Sequence, residues 1–374
     1  MHKLGFREAW IERVMSCVST PSFSVCINGK AYGNIIPTRG LRQGDPLSPY
    51  LFLLCVEGFT ALLTRAEREG RLHGVSLCRR APQISHLLFV DDSLLFCQAN
   101  QEEIQCITDT LQLYAATSGQ CINFEKSSVY FSSNTEVAQR EGIKAALGVK
   151  EVERFESYLG LPTLIGRAKY QTFSFLKDWV WKKIQGWKGK LLSRVGKEVL
   201  IKAVAQSIPT YTMGVFQLPI KLCDELIAMC TRFWWGQIRD EKKIHWKSWN
   251  ILSQPKKEGG MGFRELRSFN LAMLAKQGWR LIQEQGSLLY GCFKARYFPR
   301  GSFLEAKDVP NSSYVWKSLM AAQPILKSGC CWRMGDGSSI SVTKDKWILN
   351  QPTNMVLHPP VEEEWEWRVA DLID

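Results

Sequence analysis

The chain has twelve cysteines but no Cys-x-x-Cys pair, and no paired Cys/His spacing that would bring four ligands onto zinc. Several thiols, Cys55 and Cys97 among them, lie inside apolar runs, so reduced, mostly buried cysteines are expected. Long hydrophobic runs are lacking too. The longest, Tyr50 to Leu63, carries Glu57 and is too short to span a bilayer. The start, Met1 to Phe6, lacks the charged-then-apolar-then-small order of a signal peptide. These absences argue against a secreted or integral membrane protein. There is no internal repeat, no low-complexity tract and no long Lys/Arg run. What is present is 374 residues with 45% hydrophobic and 22% charged content. That suits two or three packed domains rather than a disordered chain.

Charge is unevenly spread. Residues 1–150 hold 15 basic and 14 acidic groups, residues 151–300 hold 26 and 12, and residues 301–374 hold 7 and 10. A basic middle is the footprint expected of phosphate binding, although Lys and Arg solvating long helices would give the same count.

The periodicity changes along the chain. Leu4 to Val18 reads as an amphipathic helix with Phe6, Trp10, Val14 and Cys17 on one face. Phe23 to Ile27 alternates into Asn28-Gly29, a hairpin signal, and a second strand spans Ala31 to Ile36. A loop, Arg39 to Pro49, leads into an apolar helix ending near Thr64, with Pro46 and Pro49 fitting only its entry or first turn. Ile84 to Val90 and Ser93 to Cys97 read as strands around an Asp91-Asp92 turn. Glu102 to Thr117 is helical and stops at Ser118-Gly119. Cys121 to Phe124 and Ser128 to Phe131 suggest another strand pair. From about Glu156 the three-and-four spacing of Leu176, Trp179, Val180, Ile184, Trp187 and Leu191 marks a helical region. Val195, Val199, Ile201 and Val204 follow less strictly, then Leu222 to Phe233 and Leu271 to Ile282. The acidic end, Glu362 to Asp374, reads as a truncated or frayed segment.

Two motifs carry chemistry. Asp91 and Asp92 lie between very apolar strands. Two such carboxylates 4 Å apart repel by roughly 4 kcal/mol at an effective dielectric of 20. A divalent cation relieves that repulsion, and phosphoryl transfer by two metals needs hard oxygen ligands arranged in this way. A lone Asp-Asp at a hairpin is more commonly a turn device. In the loop, Arg39 and Arg42 supply phosphate-directed charge, Gln43 offers donor and acceptor, and Gly44 admits close approach of backbone or nucleotide. The helix start behind Asp45-Pro46 adds N–H groups and partial positive charge. An ordinary loop capped by proline is the plain alternative.

Together Arg42-Gln-Gly-Asp-Pro-Leu-Ser-Pro49 and Phe89-Val-Asp-Asp92 resemble the reverse transcriptase domain of non-LTR (LINE-type) retrotransposons, plant members above all. That family usually has Ala, or Tyr-x, before the acids, so Val90 is a small departure. The resemblance implies a fold of class α+β. It would be a partial polymerase palm over 1–155, an antiparallel sheet with helices, then a basic helical thumb over 156–300 and an extension over 301–374. It also implies RNA-directed DNA polymerase activity, with Mg²⁺ or Mn²⁺ held at Asp91 and Asp92. Arg42, Gln43, Gly44, Asp45 and Pro46 would position template and nucleotide. Gly119-Gln-Cys-Ile-Asn123 with Lys126-Ser127 resembles the next family motif, in which Lys126 would protonate the leaving pyrophosphate. Tyr158-Leu159-Gly160 resembles the primer grip. An RNA template, a DNA primer and deoxynucleotides are the implied partners, and the element type implies a nuclear location.

In the basic middle, Lys182, Lys183, Lys188, Lys190 and Lys197 are candidates for nucleic-acid contact, with eight of fourteen tryptophans between Trp179 and Trp279. Trp179 and Trp187 share the apolar stripe and are expected in the core; Trp234, Trp235 and Trp246 stay open. This region, Trp332 to Gly337 included, resembles the downstream part of plant LINE polyproteins without an assignable role. The family's third metal-binding Asp, on a strand before the loop, is not found. The only acids before Asp45 are Glu8 and Glu12, on a helix. The expectation is therefore an N-terminally truncated copy, inactive or nearly so alone. Two alternatives are a non-catalytic nucleic-acid binder and a maturase-like splicing protein.

Overall fold

The computed structural model describes residues 1–38, 40, 43–188, 192–236, 243–349, 351, 353–356 and 367–373, with Lys188 by its backbone alone. Arg39, Arg42, Lys190 and Lys242 lie outside the described residues. The chain divides into two units, Met1–Gly160 and Leu161–Asp374.

In the first unit, Gly5 (φ 80) closes a short turn over His2–Leu4, so helix α1 begins only at Glu8 and runs Glu8–Ser19. The later start moves the buried face. Ile11 and Val14 are buried, whereas Phe6, Trp10 and Cys17, placed on that face by the sequence, are exposed. Strands β1 (Phe23–Ile27) and β2 (Lys30–Ile35) pair antiparallel around Asn28 (φ 48) and Gly29 (φ 80), the two left-handed residues of a type I′ turn. Val25, Ile27, Tyr32 and Ile35 are more than half exposed, so this hairpin contributes little core.

Helix α2 (Ser48–Arg68) is longer than expected at both ends. It is long and apolar enough, by length and composition, to cross a membrane, which the sequence reading had set aside. Here its Phe59, Leu63 and Ala66 pack with Cys106, Ile107 and Tyr114 of α3 (Gln101–Ser118), and Phe59 stacks on Tyr114 at 4.7 Å. Asn100 accepts from Glu103 N at 2.8 Å to start α3, and Gly119 (φ 71) ends it. The Glu103 carboxylate, in the first turn of α3, is buried. It accepts from the backbone N–H groups of His73 (3.1 Å) and Gln98 (3.0 Å) and faces His73 Nδ1 at 2.9 Å. Short strands β3 (Val75–Ser76) and β4 (Gln83–Ile84) pair, as do β5 (His86–Phe89) and β6 (Asp92–Leu95).

The expected strand pair over 121–131 does not form. Strand β7 (Ser128–Val129) instead runs parallel to β8 (Lys150–Glu151), with α4 (Val137–Leu147) as the crossover. A parallel partner needs such a connection, and the Asn123–Ser127 turn occupies the residues that an antiparallel partner would use. The architecture is thus mixed helix and small sheets, compatible with an α+β class. Among the described residues the strands make five separate two-stranded ladders rather than one antiparallel sheet. The last strand of this unit is β9 (Ser157–Tyr158).

The second unit opens with β10 (Leu161–Pro162) and is then mainly helical. Helices α5 (Lys169–Phe173), α6 (Phe175–Lys188), α7 (Arg194–Leu200), α8 (Thr210–Met213) and α9 (Ile220–Trp234) surround a core of Phe173, Leu176, Val180, Ile184, Met213 and Leu226. From Leu176 to Trp187 the α6 stripe follows the sequence except at Trp179, which is half exposed and meets Phe175 edge-on at 4.9 Å; Trp187 packs on Phe233, and Leu191 lies outside the described residues. After α7 a π-helical turn, Ile201–Ala205, adds a residue to the helical repeat. That offset buries Ile201 and Ala205 and leaves Val195 and Val199 outside, so the expected Val195–Val204 stripe splits.

Beyond α10 (Trp249–Ser253), helix α11 (Leu266–Gln283) lies close against α13 (Tyr314–Gly329) at Gly278, where a Cβ would come within 2.8 Å of Leu326 and Phe303. Around them Trp316 stacks on Tyr297 of α12 (Leu288–Tyr297) at 4.4 Å. The end of the chain is not frayed where it is described. Val369 is buried with Ile340 and Val342, Arg368 bridges Ser341, and Gly337 lies where a Cβ would strike Ala370.

Asn270 joins these elements. Its Oδ1 accepts from Leu218 N at 2.7 Å, and its Nδ2 donates to the carbonyls of Met213 and Phe216, both at 2.9 Å. Asn270→Ala leaves three buried backbone groups unpaired and should cost about 3 kcal/mol. Urea unfolding followed by tryptophan fluorescence would read this as a lower midpoint with unchanged slope.

Candidate nucleotidyl-transfer and nucleic-acid site

The acidic motif sits at the tip of the β5–β6 hairpin. The register pairs His86 with Leu95, Leu87 with Leu94, Leu88 with Ser93 and Phe89 with Asp92. The two turn residues are therefore Val90 and Asp91, not Asp91 and Asp92, and Asp92 is the first residue of the returning strand. Val90 has φ 51. Positive φ at the first turn position alone is the II′ pattern, normally given to glycine. A β-branched residue there is a strained outlier. The side chains of Leu87, Leu88 and Leu94 are half-buried, whereas Phe89, Val90, Asp91 and Asp92 are exposed. The strands anchor the hairpin and the acids stand in solvent.

The loop residues build a helix entry. The Asp45 Oδ1 accepts from Leu47 N at 2.8 Å, and the Asp45 carbonyl accepts from Ser48 N at 3.2 Å. Pro49 lies in the first turn of α2, as its fixed φ allows. Gly44 has φ 86, with open space where a Cβ would stand; its need for glycine is conformational. Gln43 and Gly44 are exposed, Asp45 is half-buried, and Pro46 is exposed.

Lys126 is exposed in the turn before β7, its backbone N donating to Asn123 Oδ1 and O, both at 3.2 Å. It does not follow a strand, as the sequence suggested. Tyr158 and Leu159 are half-buried, and Leu159 (φ 51) and Gly160 (φ 74) form a tight turn where a Cβ on Gly160 would meet nothing.

In the second unit Lys182 and Lys183 are exposed on α6. Lys197 on α7 is half-buried, its Nζ 5.9 Å from the Phe233 ring centre. Glu198, beside it, receives Lys202 and Lys256, each at 2.8 Å, and these two hydrogen bonds hold its carboxyl below the usual range. Trp234 is buried edge-on to Phe263, Trp235 stacks on His245 at 6.0 Å, and Trp246 is 74% exposed. The cysteine expectation is only partly met. All twelve are free, but Cys17, Cys26, Cys55 and Cys121 are exposed. Burial pushes the thiols of Cys97 and Cys223 up to about 11 and that of Cys230 to about 12.

Asp91 and Asp92 are hard oxygen donors suited to Mg²⁺ or Mn²⁺, and their exposure leaves room for water and phosphate. They are two donors; among the described residues no group of three or more His, Cys, Asp or Glu is placed to hold a metal ion.

Residues 1–176 match the family described as reverse transcriptase (RNA-dependent DNA polymerase). An uncharacterized mitochondrial protein of Arabidopsis thaliana is 37% identical over 146 residues, covering 39% of this chain and 95% of that protein. The chain belongs to the reverse transcriptase family. Its kinship with mobile elements is direct. The uncharacterized 149 kDa protein of transposon TX1 from Xenopus laevis is 29% identical over 240 residues, 62% of this chain and 17% of the relative. A retrovirus-related Pol polyprotein from the type-1 retrotransposable element R2 of Popillia japonica is 29% identical over 126 residues, 34% of this chain and 20% of the relative. The chain thus spans nearly all of the first relative and about a fifth of the other two. The resemblance to non-LTR reverse transcriptases read from the two motifs holds.

Two measurements test this geometry. Val90→Gly removes the strained φ and exposes nothing buried, so it should stabilise the chain by about 1 kcal/mol; a melting transition raised by roughly 2–4 °C would show it. Because the folded Glu198 carboxyl is lowered from 4.5, its contribution is full above that value. It is lost as pH falls through the folded value. Glu198→Gln should flatten the acid limb of a stability–pH profile below 4.5 relative to the native chain.

Proposed function

We propose that the chain is the RNA-directed DNA polymerase portion of a LINE-type retroelement of plant kind. It would join deoxynucleotides to a primer 3′ end on an RNA template. The observation that carries this reading is the exposed pair Asp91 and Asp92, fixed at a hairpin tip by a two-residue turn, in a chain of the reverse transcriptase family. Asp91 and Asp92 would hold the divalent ion, which when bound neutralises phosphate charge and favours ionisation of the primer hydroxyl. Arg42, Gln43 and Gly44 would place template base and nucleotide, with Asp45 and Pro46 setting the entry of α2. Lys126 would deliver a proton to the leaving pyrophosphate; its solvent exposure gives it the reach. The Leu159-Gly160 turn would hold the primer strand, and Lys182, Lys183, Lys188, Lys190 and Lys197 would meet backbone phosphates. Residues 1–155 serve in this reading as palm, 156–300 as thumb and 301–374 as extension, acting in the nucleus.

A further carboxylate shared by the metals is worth several kcal/mol in such transition states, and about 4 kcal/mol corresponds to a thousandfold in rate. The acids before Asp45 are Glu8 and Glu12, and α1 carries them on a helix rather than at a strand end. The 374-residue chain alone is therefore expected to be nearly inactive. That same count favours the second reading, a nucleic-acid binder without catalysis.

Primer extension on an RNA template with Mg²⁺ should stay near background for the chain alone. It should appear when the chain is joined behind the upstream polymerase segment of a related element. Asp91→Asn with Asp92→Asn should abolish it, and full activity in that variant would end the metal assignment. Independently of turnover, Mn²⁺ should broaden the amide NMR signals of residues 89–93 in the native chain and not in the double variant.

A further inference from the structure

Lys197 is a half-buried cation with no acid paired to it among the described residues. Its Nζ lies over the Phe233 ring, 5.9 Å from the ring centre, and 3.2 Å from where a Cβ on Gly236 would stand, at a backbone position with φ 71. Burial lowers the proton affinity of its ammonium, and the charges of Lys243 and Arg194 lower it further. Among the described residues no carboxylate pairs with any of the three cations. The acid nearest Arg194 and Lys197 in sequence, Glu198, is already taken by Lys202 and Lys256. Arg194 and Lys197 are three residues apart on α7 and so share a face. Three mutually repelling cations, one of them partly desolvated, favour an anion for the same reason that two carboxylates favour a metal.

The surroundings choose among anions. Three residues beyond Lys243, Trp246 is 74% exposed, and Trp235 stacks on His245 between them. Exposed indole next to phosphate-directed charge is the pairing by which single-stranded nucleic acid is held, its bases open to stacking. A duplex offers the same phosphates without the open bases.

We propose that Arg194, Lys197 and Lys243 form a phosphate site for single-stranded nucleic acid, with Trp246 stacking on a neighbouring base. The inference rests on the nucleic-acid reading above and deepens it. It assigns the main contact to the α7 cluster rather than to Lys182 and Lys183 on α6.

The test is fluorescence anisotropy of a labelled twenty-residue oligothymidylate with the full chain, across a salt series. The native chain should bind, and more tightly than it binds a duplex of equal length. Replacing Arg194, Lys197 and Lys243 by Gln should weaken binding at least about tenfold and reduce the slope of log affinity against log salt by about 2, since each phosphate contact on a single strand contributes about 0.7. Lys276→Gln with Lys317→Gln, at exposed lysines on α11 and α13, should do much less. Trp246→Ala replaces a solvent-exposed side chain, so it reads the site without risk to the fold; it should remove the quenching of tryptophan emission on binding. Native-like affinity and salt slope in the triple variant, with Trp246→Ala silent, would overturn the proposal and leave the nucleic-acid reading intact. No salt-dependent binding by the native chain to single strand or duplex would overturn both.

Discussion

Like charges set side by side in sequence stay there only if the backbone holds them, and the β5–β6 hairpin does so for Asp91 and Asp92. The Phe89–Asp92 register leaves two residues for the turn, so the first acid falls in the bend and the second at the strand start. The mutual repulsion is eased by solvent at the exposed tip. The cost of the arrangement is carried by Val90, held in a conformation that valine avoids. The half-buried leucines behind the tip provide the purchase, and α2 and α3 provide the surface to which two of them, Leu88 and Leu95, pack.

The second unit repeats the theme with opposite sign. Its hydrophobic core is larger and is tied together by a few buried polar groups, chiefly Asn270 and Gln323. Gln323 donates to the carbonyls of Phe303 (2.7 Å) and Ala306 (2.9 Å). A framework so fixed can support unbalanced charge at its surface. Around α7 some lysines are neutralised by Glu198 and others are left without acids among the described residues. The net positive charge of the middle of the chain is thus sorted into paired and unpaired groups, a distinction that composition cannot make.

What the sequence disclosed follows from how local each signal is. Asn28-Gly29 and Gly119 act within four residues, and each stands where expected; the Asn100 cap, equally local, is found only in the structure. The acidic motif and the glycine loop were legible as motifs. The turn position was not, because Asp is the better turn former, and only the strand register, a longer-range property, gives the bend to Val90. The pairing of Ser128–Val129 with Lys150–Glu151 rather than with its sequence neighbour was hidden for the same reason. The exposure of Val195 and Val199 depends on one π turn that periodicity does not register. Trp179 sits on the right stripe at its margin, where a large ring is only half covered.

The closure of Arg368 and Val369 onto Ser341, Ile340 and Gly337 has a bearing on biosynthesis. The clusters of the first unit draw on residues 59 to 147 and are complete once that stretch has left the ribosome. The small cluster at Ile340 waits for Val369, some thirty positions later. Translation therefore delivers the acid-bearing hairpin into a finished setting while the far segment is still being synthesised. A ribosome stalled between the two would display a folded first unit and an open edge at Ile340.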